Sequence, residues 1–162
     1  MFSVSLSGDD ALAARLGAFP NALSAALAAK AQTLADALAD AIRNDKLSGQ
    51  VLNARTGALR DSIGVEVVSD GDGIVATIGS FGDVKYAAIQ EYGGRTAAHE
   101  ILPSKARVLA FVAGGAMHFA ARVEHPGSTI PARAYLRLSL EEQSDAIVAA
   151  LAATPIESWE SA

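Results

Sequence analysis

The chain has 162 residues, of which 51% are hydrophobic and none is cysteine. That length and composition suffice for one buried core, and they exclude disulfides, thiolate metal sites and cysteine nucleophiles. The formal net charge of −5 arises at the C-terminal end, where residues 139–162 hold five Asp/Glu and no Lys/Arg, while residues 51–138 hold nine basic and eight acidic side chains. A basic stripe of the kind that grips phosphates is therefore not expected; an acidic surface either repels DNA or simply keeps the chain soluble. No apolar run is read as long enough to cross a bilayer. Met1–Asp10 lacks a basic start and a long apolar segment, so it is not read as a signal peptide, and the lack of cysteine fits synthesis in a reducing cytoplasm.

Taken in chain order, Asp9–Ala18 predicts a short helix. A longer one follows over Pro20–Asp45, with Leu23, Leu27, Ala31, Leu34, Leu38 and Ile42 drawing a single stripe. Pro20 is expected in its first turn, and Asn44-Asp45 with Ser48-Gly49 should end it. After a loop over 48–60, Ile63, Val65 and Val67 alternate with Ser62, Gly64 and Glu66, as on a half-buried strand. Asp70-Gly71-Asp72-Gly73 reads as a turn into the returning strand Ile74-Ala76-Ile78. Val84–Tyr92 predicts about two helical turns, stopped by Gly93. Residues 93–107 are polar and irregular. Val108–Val112 and Met117–Val123, joined by Ala113-Gly114-Gly115-Ala116, predict a second hairpin with one dry and one wet face. A last helix is expected from near Pro131, with Leu136, Leu140, Ile147 and Leu151 on one stripe, ending before Pro155.

Long helix, hairpin, short helix, hairpin and helix, with tight turns between strands, give an α+β class. The expected architecture is an antiparallel sheet of about four strands from two hairpins, packed by the long N-terminal helix and the C-terminal helix. A single domain is expected over residues 1–154, with a flexible acidic tail over 155–162.

Catalytic patterns are missing from the sequence. There is no Gly-x-x-x-x-Gly-Lys-Ser/Thr loop and no Gly-x-Ser-x-Gly elbow. The Asp70–Gly73 stretch starts like a calcium loop, but Ile74 takes the next ligand position and no glutamate closes it. His99, His118 and His125, with Glu100 or Glu124, lack metal-ligand spacing, and Ser104 with His99 makes no recognisable nucleophile–base pair. No catalytic residue, metal or cofactor is predicted. Tyr86 and Tyr92 bracket the short helix, Tyr135 opens the last one and Trp159 lies in the tail. Tyrosine suits protein–protein contacts, although a core-edge role is as good a reading of Tyr86 and Tyr135. Arg55, Arg60, Arg95, Arg107, Arg133 and Arg137 flank loops, where arginine can fork onto a partner's carboxylates or form pairs of small value. Arg133, expected in the first turn of the last helix, would there oppose the helix dipole.

Several segments taken in order resemble motifs of the tailed-phage neck, or head–tail joining and virion-morphogenesis, proteins. They are Thr56-Gly57-Ala58-Leu59-Arg60-Asp61-Ser62-Ile63, then Tyr86-Ala87-Ala88-Ile89-Gln90-Glu91-Tyr92-Gly93-Gly94, then His99-Glu100-Ile101-Leu102-Pro103 ahead of Leu109-Ala110-Phe111. His125-Pro126-Gly127 and Ile130-Pro131-Ala132-Arg133-Ala134-Tyr135-Leu136-Arg137 complete the set, over residues 20–150. That family often carries proline where this chain has Ala134. The resemblance implies a structural virion protein of the neck, made in the bacterial host cytoplasm. It further implies a homo-oligomeric ring, commonly a hexamer, that encircles DNA without reading its sequence. Partners would be a head-completion or connector protein on one side and a tail-terminator or tail-tube protein on the other, with no membrane. Contacts are expected at Arg60, Tyr86, Glu91, Tyr92, Gly93, Gly94, Arg95, Arg133, Tyr135 and Arg137. Competing readings are a minor tail or tail-terminator protein, a small hydrolase with an unrecognised site, and a nucleic-acid binder.

Overall fold

Alanine, the strongest helix former, dominates both sides of Pro20. In the computed structural model the two helices expected there are one, α1 (Asp9–Ala41), with Pro20 in its interior. Pro20 supplies no N–H to the ladder, and the alanines on either side carry the helix across the gap. The structure describes residues 8–53, 55–70 and 73–161. The expected stripe is the one that turns inward, with burial growing along it: Leu23, Leu27, Ala31 and Leu34 are half-buried, while Leu38 and Ile42 are buried. α1 passes into a wider π-helical stretch, Ile42–Gln50, in which Ser48 and Gly49 leave helical geometry. There the Val51 N–H donates to the Lys46 carbonyl five residues back. Over Asp9–Gln50 the helix is long and apolar enough to cross a bilayer, contrary to the sequence expectation. Length and composition alone meet that test, and the apolar stretch that meets it holds no buried residue; burial begins at Ala35, in the second half of the helix.

After α2 (Ala58–Ser62), β1 (Ile63–Asp70) and β2 (Gly73–Ser80) form an antiparallel hairpin in register from Ile63↔Ser80 to Asp70↔Gly73. The middle of its expected turn, Gly71-Asp72, lies outside the described residues; the Gly73 N–H donates to Asp70 Oδ1 at 3.1 Å. α1 packs on both strands and on the last helix, α4 (Tyr135–Ser161). Ala35, Leu38, Ala39, Ile42, Leu47, Leu59, Ile63 and Tyr135 form the buried centre. The Arg43 guanidinium donates to the Ile63 carbonyl, tying the end of α1 to the start of β1.

α4 differs from expectation at both ends and in its facing. Its inward line runs through Tyr135, Ser139, Ile147, Leu151, Thr154 and Ser158, leaving Leu140 51% exposed. Three of those positions are hydroxyls, which cost little to bury because each donates to its own helix: Ser139 to Tyr135, Thr154 to Ala150 and Ser158 to Pro155. Small side chains there let α4 lie close to α1. The helix runs through Pro155 instead of stopping before it. Packing holds the residues beyond: the Trp159 ring meets Phe19 edge-on at 5.3 Å, and the Arg15 guanidinium lies 4.4 Å over it. An ion pair between Lys30 and Glu157 (3.1 Å) also joins the two helices.

Helices α1, α2 and α4 with β1 and β2 belong to one compact unit, Met1–Lys85 with Tyr135–Ala162; Tyr86–Ala134 forms a second. The second holds α3 (Ala87–Tyr92), β3 (Gly94–Arg95), β4 (His99–Ile101), β5 (Leu109–Ala113), β6 (Ala116–Ala120), β7 (Val123–His125) and β8 (Thr129–Ile130). Its strands pair antiparallel as β3–β8, β4–β7 and β5–β6. The class is thus α+β with antiparallel hairpins, its strands distributed over four two-stranded ladders.

Residues 131–134 precede α4 instead of opening it. Their amides are committed elsewhere: Arg133 N–H donates to Gln90 O (2.8 Å) and Ala134 N–H to Glu91 O (3.1 Å). These are carbonyls at the end of α3 that its own ladder leaves open. Arg133 is consequently outside the first turn of α4, and the dipole argument does not apply to it. Ala134 sits at φ 47°, the one non-glycine residue with positive φ among those described. Proline cannot adopt that angle and has no N–H to give Glu91. Ala134→Pro should therefore destabilise by more than about 1 kcal/mol, read as a lowered thermal midpoint; an unchanged midpoint would contradict the assigned backbone.

Candidate functional site

The residues expected at a partner surface gather mainly in the second unit, at the end of α3. Gly93 stops that helix at φ 72°, its N–H bonded to Ile89 O at 3.0 Å. A Cβ on Gly93 would stand 2.7 Å from the Ala132 nitrogen, so residues 130–132 run directly against it. β3 leaves Gly93 and pairs with β8, Gly94↔Ile130 and Arg95↔Thr129. The ladder is extended by Thr96 N–H to Ser128 O (2.9 Å) and Ser128 N–H to Thr96 Oγ1 (2.8 Å).

On this frame Tyr86 and Tyr92 flank α3, 44% and 80% exposed, and Arg95 and Arg133 are exposed. Tyr92 is the most exposed large hydrophobic side chain among the described residues. Glu91, on the same short helix, is 6% exposed and belongs to the interior. The remaining expected residues lie in the first unit. Arg60, on α2, pairs with its neighbour Asp61 at 3.0 Å, and Arg137, on α4, with Glu141 at 3.7 Å. Tyr135, expected at a contact surface, is 1% exposed and serves as a core side chain of its own chain.

Beside the α3 platform, β4 and β7 set His99 opposite His125, their rings stacked at 5.0 Å, and Glu100 opposite Glu124. His125 Nδ1 accepts the Gly127 N–H at 3.1 Å, and Arg122 pairs with Glu100 at 3.3 Å. His118 lies on β6, stacked on Phe111 at 5.8 Å. Among the described residues no three His, Asp or Glu side chains converge as metal ligands. The groove between α1, the β1–β2 hairpin and α4 is lined mainly by aliphatic side chains, Leu23, Leu27, Ile74 and Leu151 among them, with Ser24 and Asp70 also on its wall.

Sequence reasoning missed the outer surface of β5–β6. The dry face expected of that hairpin is uncovered: Val112, Met117 and Phe119 are 61–69% exposed and Phe111 39%. The signal was available, since Val108–Ala121 contains no Asp, Glu, Lys or Arg and is apolar at both strand parities. No element among the described residues covers it.

Over residues 10–93 the chain matches the family model described as "Bacteriophage HK97-gp10, putative tail-component". The match takes in α1 to α3 and ends at Gly93, just over half of the chain. It contains the Thr56–Ile63 motif and nearly all of Tyr86–Gly94; the motifs from His99 onward lie beyond it. A search of curated proteins and one of solved structures returned no match. With its matched segment carrying the long helix, the first hairpin and the α3 platform, the chain belongs to the HK97-gp10-like family of tailed-phage tail components.

Proposed function

We propose that this protein is a structural ring subunit at the head–tail junction, joining the filled head to the tail or completing the tail end. The ring, of six copies, surrounds the DNA path, with a head-completion or connector protein above and a tail-terminator or tail-tube protein below. The observation that carries this reading is the amount of large apolar surface the chain leaves to solvent, with Tyr92, Val112, Met117 and Phe119 the clearest instances. Monomers rarely expose large contiguous apolar patches, and such patches mark interaction sites. In a member of a tail-component family that surface is best used against copies and neighbours. Binding without chemistry fits the absence of a recognisable catalytic motif, and an acidic balance suits a wall past which DNA slides. Cryo-electron microscopy of the particle tests the placement: a ring of this density at the neck is expected, and density confined to the capsid shell would rule the placement out.

The family description favours one further reading, a minor tail or tail-terminator position a layer lower. The same images separate the two.

Tyr92→Ala isolates the surface from the fold. At 80% exposure its loss should change stability by no more than about 0.5 kcal/mol, while weakening assembly tenfold or more, about 1.4 kcal/mol. Native mass spectrometry beside circular dichroism measures both. Unimpaired assembly would remove α3 from the interface. Glu91→Lys should instead damage folding, because it forces a cation into a position 6% exposed.

A further inference from the structure

Two uncovered apolar surfaces of unlike shape occur on this chain. One is the β5–β6 hairpin. Its strands pair only with each other among the described residues, so each outer edge offers unpaired backbone groups, and neither strand carries the proline or lysine that usually blunts an edge. A two-stranded hairpin on its own is marginal in water, and Val112, Met117 and Phe119 stand out from it as bulky projections.

The other lies on the first half of α1, outside its contacts with Trp159 and with the groove beside β2 and α4. No residue of α1 before Ala35 is buried. Leu12 and Leu16 are 51% and 54% exposed, and Leu16–Ala29 contains no charged side chain, with six alanines among its fourteen residues. It is a shallow apolar surface of small residues, suited to receiving large ones.

The borders of the two surfaces carry opposite charge. Asp9 and Asp10 open α1; Lys105 and Arg107 lie at the base of the hairpin; all four are exposed, and among the described residues none of them makes an ion pair. Attraction at these borders arises when the hairpin meets the helix, and not when either surface meets itself. Two different complementary patches on one chain define a heterologous contact, the kind that closes rings.

We infer that the β5–β6 hairpin of one copy docks on the N-terminal half of α1 of the next copy, head to tail around the assembly. This rests on the ring reading above and names the contact that would build it.

The lack of cysteine makes disulfide trapping clean. Met117→Cys and Leu16→Cys stand at exposed positions, and circular dichroism checks that each variant folds. Under copper–phenanthroline oxidation, an equimolar mixture of the two single variants should yield at least ten times more disulfide dimer than either alone. The double variant should give a ladder ending at the ring size, both as purified chain and in phage particles carrying it. Charge reversal at Asp9→Lys and Asp10→Lys should lower the yield severalfold, and added Lys105→Asp and Arg107→Asp should restore it.

Equal dimer from the single variants alone, a double variant that closes only within one chain, cross-links to a different virion protein, or no ladder in chain or particle would each overturn the contact. Native mass and particle images of the unmodified protein judge the ring separately: a ring without cross-links rejects this contact and spares the ring, whereas particles with no such ring reject both.

Discussion

Replacing Gly127 with alanine should open the strands of the second unit while the helical signal of the protein persists. Gly127 has φ 85°, and a Cβ there would lie 2.2 Å from the Thr96 carbonyl oxygen. The atom in the way is backbone, so no side chain can swing aside; residues 96–97 and 127–128 must separate. That separation breaks the hydrogen bonds between Thr96 and Ser128 and lies between the β3–β8 and β4–β7 ladders. A left-handed angle costs a non-glycine residue about 1–2 kcal/mol, and overpacking adds about 1–3 kcal/mol. A total of about 2–5 kcal/mol is large against the total stability of an ordinary domain, about 5–15 kcal/mol. Hydrogen exchange should report lost protection in residues 86–134 with protection of α1 and α4 retained. Unaltered exchange around Thr96 would contradict the close approach.

The backbone geometry behind that prediction could not be read from sequence. His125-Pro126-Gly127 signals a turn, but which distant carbonyl lies against Gly127 is a tertiary fact. The legible parts were those with a period. The Leu23-to-Ile42 stripe and the Ile63–Ile78 hairpin each repeat a pattern over many residues, and each is found where the pattern puts it. Misreadings cluster where a local rule met a tertiary partner. By local rules Pro20 and Pro155 read as helix boundaries; alanine content carries the helix past one, and packing on α1 holds the helix past the other. On α4 the expected Ile147 and Leu151 do lie on the inward line, but hydroxyls and not Leu140 complete it, since close approach to α1 rewards small side chains.

Of the residues expected at partner contacts, Tyr86, Tyr92, Arg95 and Arg133 are exposed, while Glu91 and Tyr135 are interior. A tyrosine's dual character allows either outcome, and only the fold decides between them. The β5–β6 surface was misjudged because alternation predicts which side chains share a face, not whether another element exists to cover that face.

Leu38→Ala provides the second large effect and tests the stripe itself. Leu38 is 3% exposed, with Ala35, Ala39 and Ile42 buried beside it on α1. Truncation removes the transfer energy of the lost methyl groups and leaves a cavity, together about 2–5 kcal/mol for a buried leucine. The upper part of that range is expected, because neighbouring alanines have no flexible side chain with which to fill the space. In a chain of this size the thermal midpoint should fall by on the order of 10 °C. The measurement belongs below the concentration at which copies associate, since assembly would stabilise the folded form by mass action. A lowered urea midpoint with an unchanged slope would place the effect in the native core and not in the unfolded chain. Leu140→Ala is the matched control, removing the same atoms from a position 51% exposed, and should cost less than about 1 kcal/mol. Equal losses at the two sites would mean that burial does not separate the two stripes, and the packing of α1 against α4 and β1–β2 would have to be redrawn.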